Sequence, residues 1–252
     1  MKRVVGFIVW IIWIVLFIPT TIFCALLILA FNLIWPGKGD AKLRTLRRIY
    51  RFWGKASIFF SFSPVKVSGD KKNIPKPTLI ISNHQSDFDI YAGGFYPVDF
   101  LFLSKKEVFK IPLIGVAMRK CEFLSVDREN PKDAAKALMS VVRKMKKKKT
   151  VLMYPEGTRS NDASKMLPFK AGSLSAARSA QVSITPIVVR GTQEIKPTDK
   201  KFYILPQVVR IHILEPIFTD NELHPANSES KLTDEEKLNR VRDLMQKAYE
   251  NI

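Results

Sequence analysis

From Val4 to Trp35 the chain carries no charged residue. The run is 32 residues long. As one helix it would extend about 48 Å, against a hydrocarbon core of about 30 Å. A secretory signal has a shorter apolar region and a small-residue cleavage site, and neither is evident. Pro19-Thr20-Thr21 falls in the middle. It would divide the run into halves of about 15 residues, each about 22 Å and too short to span upright. Two readings follow: a single tilted, kinked transmembrane helix, or a helical hairpin that dips into one leaflet. Lys2 and Arg3 precede the run, and Lys38, Lys42, Arg44, Arg47, Arg48 and Arg51 follow it. Basic residues on both flanks favour a monotopic hairpin with both ends on the cytoplasmic face of the cell membrane.

The formal net charge of +18 predicts anionic partners, among them acidic headgroups, phosphorylated substrates or nucleic acid. Nucleic-acid binding lacks a recognisable module or an aromatic stacking platform and is not expected. The two cysteines, Cys24 and Cys121, sit in apolar surroundings and are expected as reduced thiols. Three widely separated histidines offer no zinc spacing, so no metal is expected.

The expected organisation is a two-helix hydrophobic anchor over residues 1–36, a basic amphipathic interfacial helix over 37–60, and an α/β domain over 61–252. In the second segment Arg44, Arg47, Arg48, Arg51 and Lys55 recur at helical spacing, while Leu43, Leu46, Tyr50 and Trp53 line another side. In the third, short apolar strands are expected at Val65–Val67, Thr78–Ser82, Phe100–Leu103, Glu122–Val126, Val151–Tyr154, Ile184–Val189 and Val208–Leu214. Helices are expected between them. The clearest are Pro131–Lys147, with Asn130 as N-cap, and a last helix opening on a Thr233–Glu236 capping box. Residues 221–231 read as a loop. The alternation predicts a single α/β domain with a mostly parallel, partly mixed central sheet flanked by helices.

Sites in open α/β sheets gather at the carboxyl ends of strands. Two polar clusters follow apolar strands, "SNHQSDFD" at 82–89 and "YPEGTRS" at 154–160. In the first, His84 is a candidate proton acceptor, with a carboxylate to fix its tautomer. Two carboxylates compete. On one continuous helix, residues five apart lie about 140° from each other, which favours Asp87. If His84 sits in a turn before the helix, its ring can fold back to Asp89. Local geometry leaves the choice open. In the second cluster Gly157 permits a tight turn, Glu156 can accept a hydrogen bond, and Arg159 offers a planar fork for phosphate. Lys105, Lys106 and Arg128 follow strand-like segments and could complete an anion site. Neither a G-x-S-x-G elbow nor a phosphate-binding G-x-x-x-x-G-K-[ST] loop occurs.

Four stretches in order resemble the glycerolipid acyltransferase family, specifically 1-acylglycerol-3-phosphate acyltransferases. Asn83-His84-Gln85-Ser86-Asp87-Phe88-Asp89 is similar to an N-H-x-x-x-x-D motif. A second block runs from Lys105 through Pro112 and Gly115 to Asp127-Arg128. A third, Tyr154 to Arg159, is similar to aromatic-P-E-G-T-R. Ile184-Thr185-Pro186-Ile187-Val188 resembles the fourth. The resemblance covers roughly residues 60–215. It implies transfer of an acyl group from a thioester, acyl-CoA or acyl-carrier protein, to the sn-2 hydroxyl of lysophosphatidate at a phospholipid membrane, giving phosphatidate. It implies no cofactor. Its motif makes His84 the base and Asp89 the partner carboxylate. It assigns Lys105, Arg128 and Arg159 to the acceptor phosphate, Glu156, Gly157 and Thr158 to the phosphate and glycerol region, and Pro186 to the acyl or donor side. Another lysophospholipid or glycerol-3-phosphate is the alternative acceptor. A non-enzymatic binder of acidic lipids is the competing reading, supported by the basic helix but not by the paired motifs.

Overall fold

The computed structural model describes residues 2–252 except 36, 38, 161, 163, 198–199 and 218–232. The expected loop at 221–231 and the flanking Lys38 therefore lie outside the described residues. Among the described residues seven strands form one sheet: β1 (Val65–Gly69), β2 (Leu79–Ser82), β3 (Leu101–Lys105), β4 (Leu124–Val126), β5 (Val151–Met153), β6 (Ile184–Arg190) and β7 (Val209–Ile213). Their spatial order is β1-β7-β6-β2-β5-β3-β4. Every pairing is parallel except β6 with β7, so the sheet is mostly parallel and partly mixed. β2, β5 and nearly all of β6 are buried on both faces, which is why they read as continuous apolar runs rather than alternating ones.

Pro186 lies inside β6, opposite Ile81 of β2. A proline there is tolerated because its missing N–H falls past the end of the β6–β7 ladder, which starts at Ile187; its carbonyl accepts from Leu214 N (3.0 Å).

Helices cover both faces. On one side lie α5 (Pro131–Lys146), α6 (Gly172–Ala180) and α8 (Asp234–Glu250), over a core that includes Leu79, Ile81, Val141, Met145, Leu174 and Val241. Asn130 caps α5 by accepting from Lys132 N and Asp133 N. The Thr233–Glu236 capping box opens α8. On the other side lie α1 (Lys2–Ile34), α2 (Asp40–Phe59), α3 (Phe88–Ala92) and α4 (Ile114–Lys120). The short α7 (Thr192–Ile195) follows β6.

The expected break at Pro19 is absent. Lys2–Ile34 is one continuous helix of 33 residues, with Pro19 inside it, and this replaces the two-helix anchor over 1–36. The reason is support from outside the helix. Ile204 N donates to Gly6 O (3.0 Å) near one end. Trp13 Nε1 donates to Ser57 O (2.8 Å), and Trp53 Nε1 to Thr21 Oγ1 (2.8 Å), near the middle. Lys42 Nζ donates to Asn32 O (3.0 Å) and Trp35 O (2.7 Å) near the other end. A fold-back at Pro19 would strip one half of these partners. The Thr21 hydroxyl also donates to Phe17 O (2.7 Å), next to the bond that proline cannot make.

α2 packs against both α1 and the α3 segment. Leu46, Ile49, Tyr50 and Ile58 are buried, and two of its arginines turn inward. Arg47 grips Asp99 with Nε and Nη2 (2.7–3.0 Å), and Arg51 Nη2 donates to Tyr96 O (2.5 Å). The basic stripe read as facing a membrane is thus partly structural. Arg44, Arg48, Phe52, Lys55 and Phe59 are the positions of α2 between Arg44 and Phe59 that remain exposed.

Gly6 shows how closely α1 is docked, because a Cβ there would overlap the Tyr203 ring. Gly6→Val is expected to cost about 1–3 kcal/mol through overpacking, read as a lower unfolding midpoint in detergent micelles. An unchanged midpoint would mean that α1 does not dock on the 203–204 segment.

Candidate active site

β2 ends at Ser82, and the next side chain fixes the turn that follows. Asn83 Nδ2 donates to Val189 O (2.8 Å), and Asn83 Oδ1 accepts from Val189 N (2.8 Å). The amide thereby extends the pairing with β6 by one side chain. His84 stands next, outside the helix. Its backbone is held at both polar atoms by the 154–160 turn: its N–H donates to Glu156 Oε1 (2.7 Å) and its carbonyl accepts from Ser160 N (2.8 Å). Its ring stacks on Tyr154, with centroids 4.2 Å apart and planes at 17°.

The two candidate carboxylates separate cleanly. Asp89, in the first turn of α3, reaches His84 Nδ1 with Oδ2 (2.9 Å). The same oxygen accepts from Gln85 N (2.6 Å) and Ser86 N (2.8 Å), and Oδ1 accepts from Thr192 Oγ1 (2.6 Å). The group is fully buried. Asp87 turns the other way. Its Oδ1 accepts from Arg159 Nη1 (2.6 Å) and its Oδ2 from Lys196 Nζ (3.0 Å). Burial pushes the Asp87 carboxyl up, but Lys196, Arg159 and His84 together outweigh this and hold it below the usual range.

Glu156 does not face an open site. It is 2% exposed, and its oxygens accept from His84 N and Leu167 N (2.9 Å). This places it under the histidine rather than against a glycerol backbone. Gly157 adopts φ +72°, as the tight turn requires, and its carbonyl accepts from Arg128 Nη1 (2.6 Å). Arg128 therefore buttresses the turn, and its burial lowers its pKa. Thr158 and Arg159 are exposed at the same edge. Lys105 ends β3 at that edge, half-exposed, 3.6 Å from Glu107; Lys106 lies 3.7 Å from Asp127. Pro186, buried in β6, is not among the residues that line the neighbouring cavity.

That cavity, of about 320 Å³, runs from Asp87 and Tyr91 between α1, α2 and α4. Phe17, Cys24, Ile28, Trp53, Phe102, Ile114, Met118 and Cys121 make it almost wholly apolar. Such a shape suits a hydrocarbon chain. Among the described residues no group of His, Cys, Asp and Glu side chains could hold a metal ion.

Three contributors were missed in the sequence: Asn83 as a clamp, Thr192 behind Asp89, and Lys196 beside Asp87. The stretch "GTQEIK" also follows an apolar strand, β6, so the strand-end rule applied a third time finds the last two.

The chain belongs to the Acyltransferase family, whose sequence model matches residues 64–190. It is 34% identical over 172 residues to a chloroplastic 1-acyl-sn-glycerol-3-phosphate acyltransferase of Arabidopsis thaliana, covering 67% of this chain and 48% of that protein. It is 30% identical over 197 residues to a 1-acyl-sn-glycerol-3-phosphate acyltransferase of Limnanthes douglasii, covering 77% and 68%. The chain thus spans about half the length of the chloroplastic relatives. The crystal structure of the 1-acyl-sn-glycerophosphate acyltransferase PlsC of Thermotoga maritima superposes with a TM-score of 0.80 at 24% identity, over 100% of this chain and 97% of that one. The fold is shared over that whole length, α1 and α2 included.

Burial raises Glu156 to about 7 from its ordinary 4.5, against the pull of its two backbone N–H donors. The folded chain therefore binds this proton where the unfolded chain has lost it, and stability from this group falls as pH rises from 4.5 to 7. Relative to Glu156→Gln, the wild type is expected to lose up to about 3 kcal/mol across that window, measured as unfolding midpoints in micelles. Parallel pH slopes for the two proteins would contradict the shift.

Proposed function

We propose that this chain is a membrane-surface 1-acyl-sn-glycerol-3-phosphate acyltransferase, moving an acyl group from a thioester to the sn-2 hydroxyl of lysophosphatidate. The observation that carries this reading is the buried His84–Asp89 pair, with Asp87 of the same turn lining the apolar cavity and meeting the cation Arg159. The names of the relatives support the acceptor.

With Nδ1 tied to Asp89, His84 presents Nε2 to substrate. Nε2 takes the proton of the sn-2 hydroxyl as that oxygen attacks the thioester carbonyl. Asp89 orients the ring and stabilises the imidazolium that forms. The tetrahedral carbon then expels the thiolate, which leaves with the proton from His84. No covalent enzyme intermediate is needed, because the acceptor oxygen is itself the nucleophile. The acyl donor is acyl-CoA or acyl-carrier protein; both present the same thioester, and no cofactor is involved. Arg159 holds the acceptor phosphate and the cavity takes the hydrocarbon chain. Lys105, half-exposed at the same edge, remains available to the phosphate, whereas Arg128 acts through Gly157 and Glu156 through His84.

Packing supports the anchor. α1 presents an apolar outer surface, with Val4, Phe7, Ile8, Ile11, Val15, Ile18, Phe23, Leu26 and Leu33 exposed, and Phe52 and Phe59 of α2 add to the exposed apolar surface. A helix docked along the domain for its whole length does not stand apart from it as an upright span. The apolar face instead enters one leaflet, on the cytoplasmic side that the basic flanks favour. The cavity between α1 and α2 then receives lipid directly from the bilayer.

His84→Ala is expected to lower transfer to lysophosphatidate by about 10²–10⁴-fold while vesicle binding is retained; near-normal turnover by the purified variant would remove His84 as the base. Cysteine probes at positions 2 and 42 are expected to label from the same side of sealed vesicles, and labelling from opposite sides would eliminate the monotopic arrangement.

A further inference from the structure

Lys196 belongs to none of the four motifs, yet the fold brings it to the edge of the site. It follows α7, and its backbone is fixed from two sides: Lys196 N donates to Thr192 O (3.2 Å), and Lys196 O accepts from Ser86 Oγ (3.0 Å). Ser86 is in the turn that carries His84, so the Lys196 backbone is tied to that turn. Its ammonium meets Asp87 Oδ2, while Arg159 Nη1 meets Asp87 Oδ1. One carboxylate thus bridges two cations from different segments at the cavity mouth, where Asp87 is itself a lining residue.

A bridging carboxylate in this position has a definite chemical meaning. Its two oxygens present charge to two cations much as two oxygens of a phosphate group do. Asp87 occupies the N-cap position of α3 but makes no side-chain capping bond. Its side chain is 41% exposed, so a change of rotamer frees both cations without disturbing the helix.

We propose that Lys196 is the second arm of the acceptor-phosphate clasp, and that Asp87 is an internal stand-in for the phosphate, displaced when the phosphorylated acceptor arrives. This deepens the acyltransferase reading and rests on it for the identity of the acceptor. Arg159 and Lys196 approach from opposite sides of the His84 turn, so a phosphate held by both has its position fixed relative to Nε2. Asp87 keeps the paired cations in place when no acceptor is bound, and it makes free inorganic anions compete against a tethered carboxylate.

The test uses the full chain in mixed micelles, with lysophosphatidate varied at saturating donor and inorganic phosphate as a separate probe. Lys196→Met is expected to raise KM for lysophosphatidate about tenfold, the size of one charge-assisted hydrogen bond, with a larger effect on KM than on kcat. KM for the acyl donor should stay put, and Lys196→Arg should restore most of the loss. Asp87→Asn is expected to do the reverse, lowering KM for lysophosphatidate and tightening inhibition by inorganic phosphate several-fold. An unchanged KM in Lys196→Met would overturn the second arm. A raised KM together with weaker phosphate inhibition in Asp87→Asn would overturn the stand-in and make Asp87 an organiser. Calorimetric binding of inorganic phosphate to the three variants and the wild type needs no turnover. If the wild type fails to acylate lysophosphatidate, the functional reading falls, while the phosphate titration still decides on Lys196 and Asp87.

Discussion

The Asp89 carboxylate is the point on which the site depends. Buried without water, a carboxylate is costly unless its lone pairs are met, and here four donors meet them: the His84 ring, two successive backbone amides and the Thr192 hydroxyl. The backbone donors come from the turn that carries His84. The carboxylate therefore shapes the turn that delivers its own partner, and the ring orientation is a by-product of satisfying a buried charge. Thr192 ties this arrangement to the segment after β6, so two strand ends meet at one group: β2 through His84 and β6 through Thr192.

Glu156 extends the same logic beneath the histidine. Both of its oxygens go to backbone amides, one of them that of His84. Ser160 N binds the carbonyl of the same residue. The P-E-G-T-R turn and the N-H-x-x-x-x-D turn are thus two halves of one hydrogen-bonded unit, although residues 84 and 156 are 72 apart in sequence. Each turn thereby holds the other in place.

Much of this was legible in the sequence. Parallel strands buried on both faces announced themselves as unbroken apolar runs, and the caps at Asn130 and Thr233 marked helix starts correctly. The partner of His84 was not legible from periodicity. It depends on whether the helix begins before or after His84, and backbone donors to Asp89 settle that without leaving a pattern of side chains. The resemblance placed Glu156 and Arg128 on substrate, whereas the fold turns both onto backbone groups, and which way a side chain faces is not written in a motif. Pro19 misled for a different reason. Its local cost is real, but indole and ammonium donors from α2, together with the 203–204 segment, hold α1 straight, and those contacts are tertiary. Lys196 escaped notice because it lies outside any motif and gains meaning only beside Asp87.

The position of α1 has one more consequence. Phe17, Thr21, Cys24, Ala25 and Ile28 line the apolar cavity, so the long apolar helix is also one wall of the cavity. In the proposed arrangement, membrane attachment and the cavity wall use different faces of this one helix. Cutting away the first helix would strip one wall from the cavity. An unrelated apolar helix grafted in its place would keep the hydropathy without rebuilding the wall.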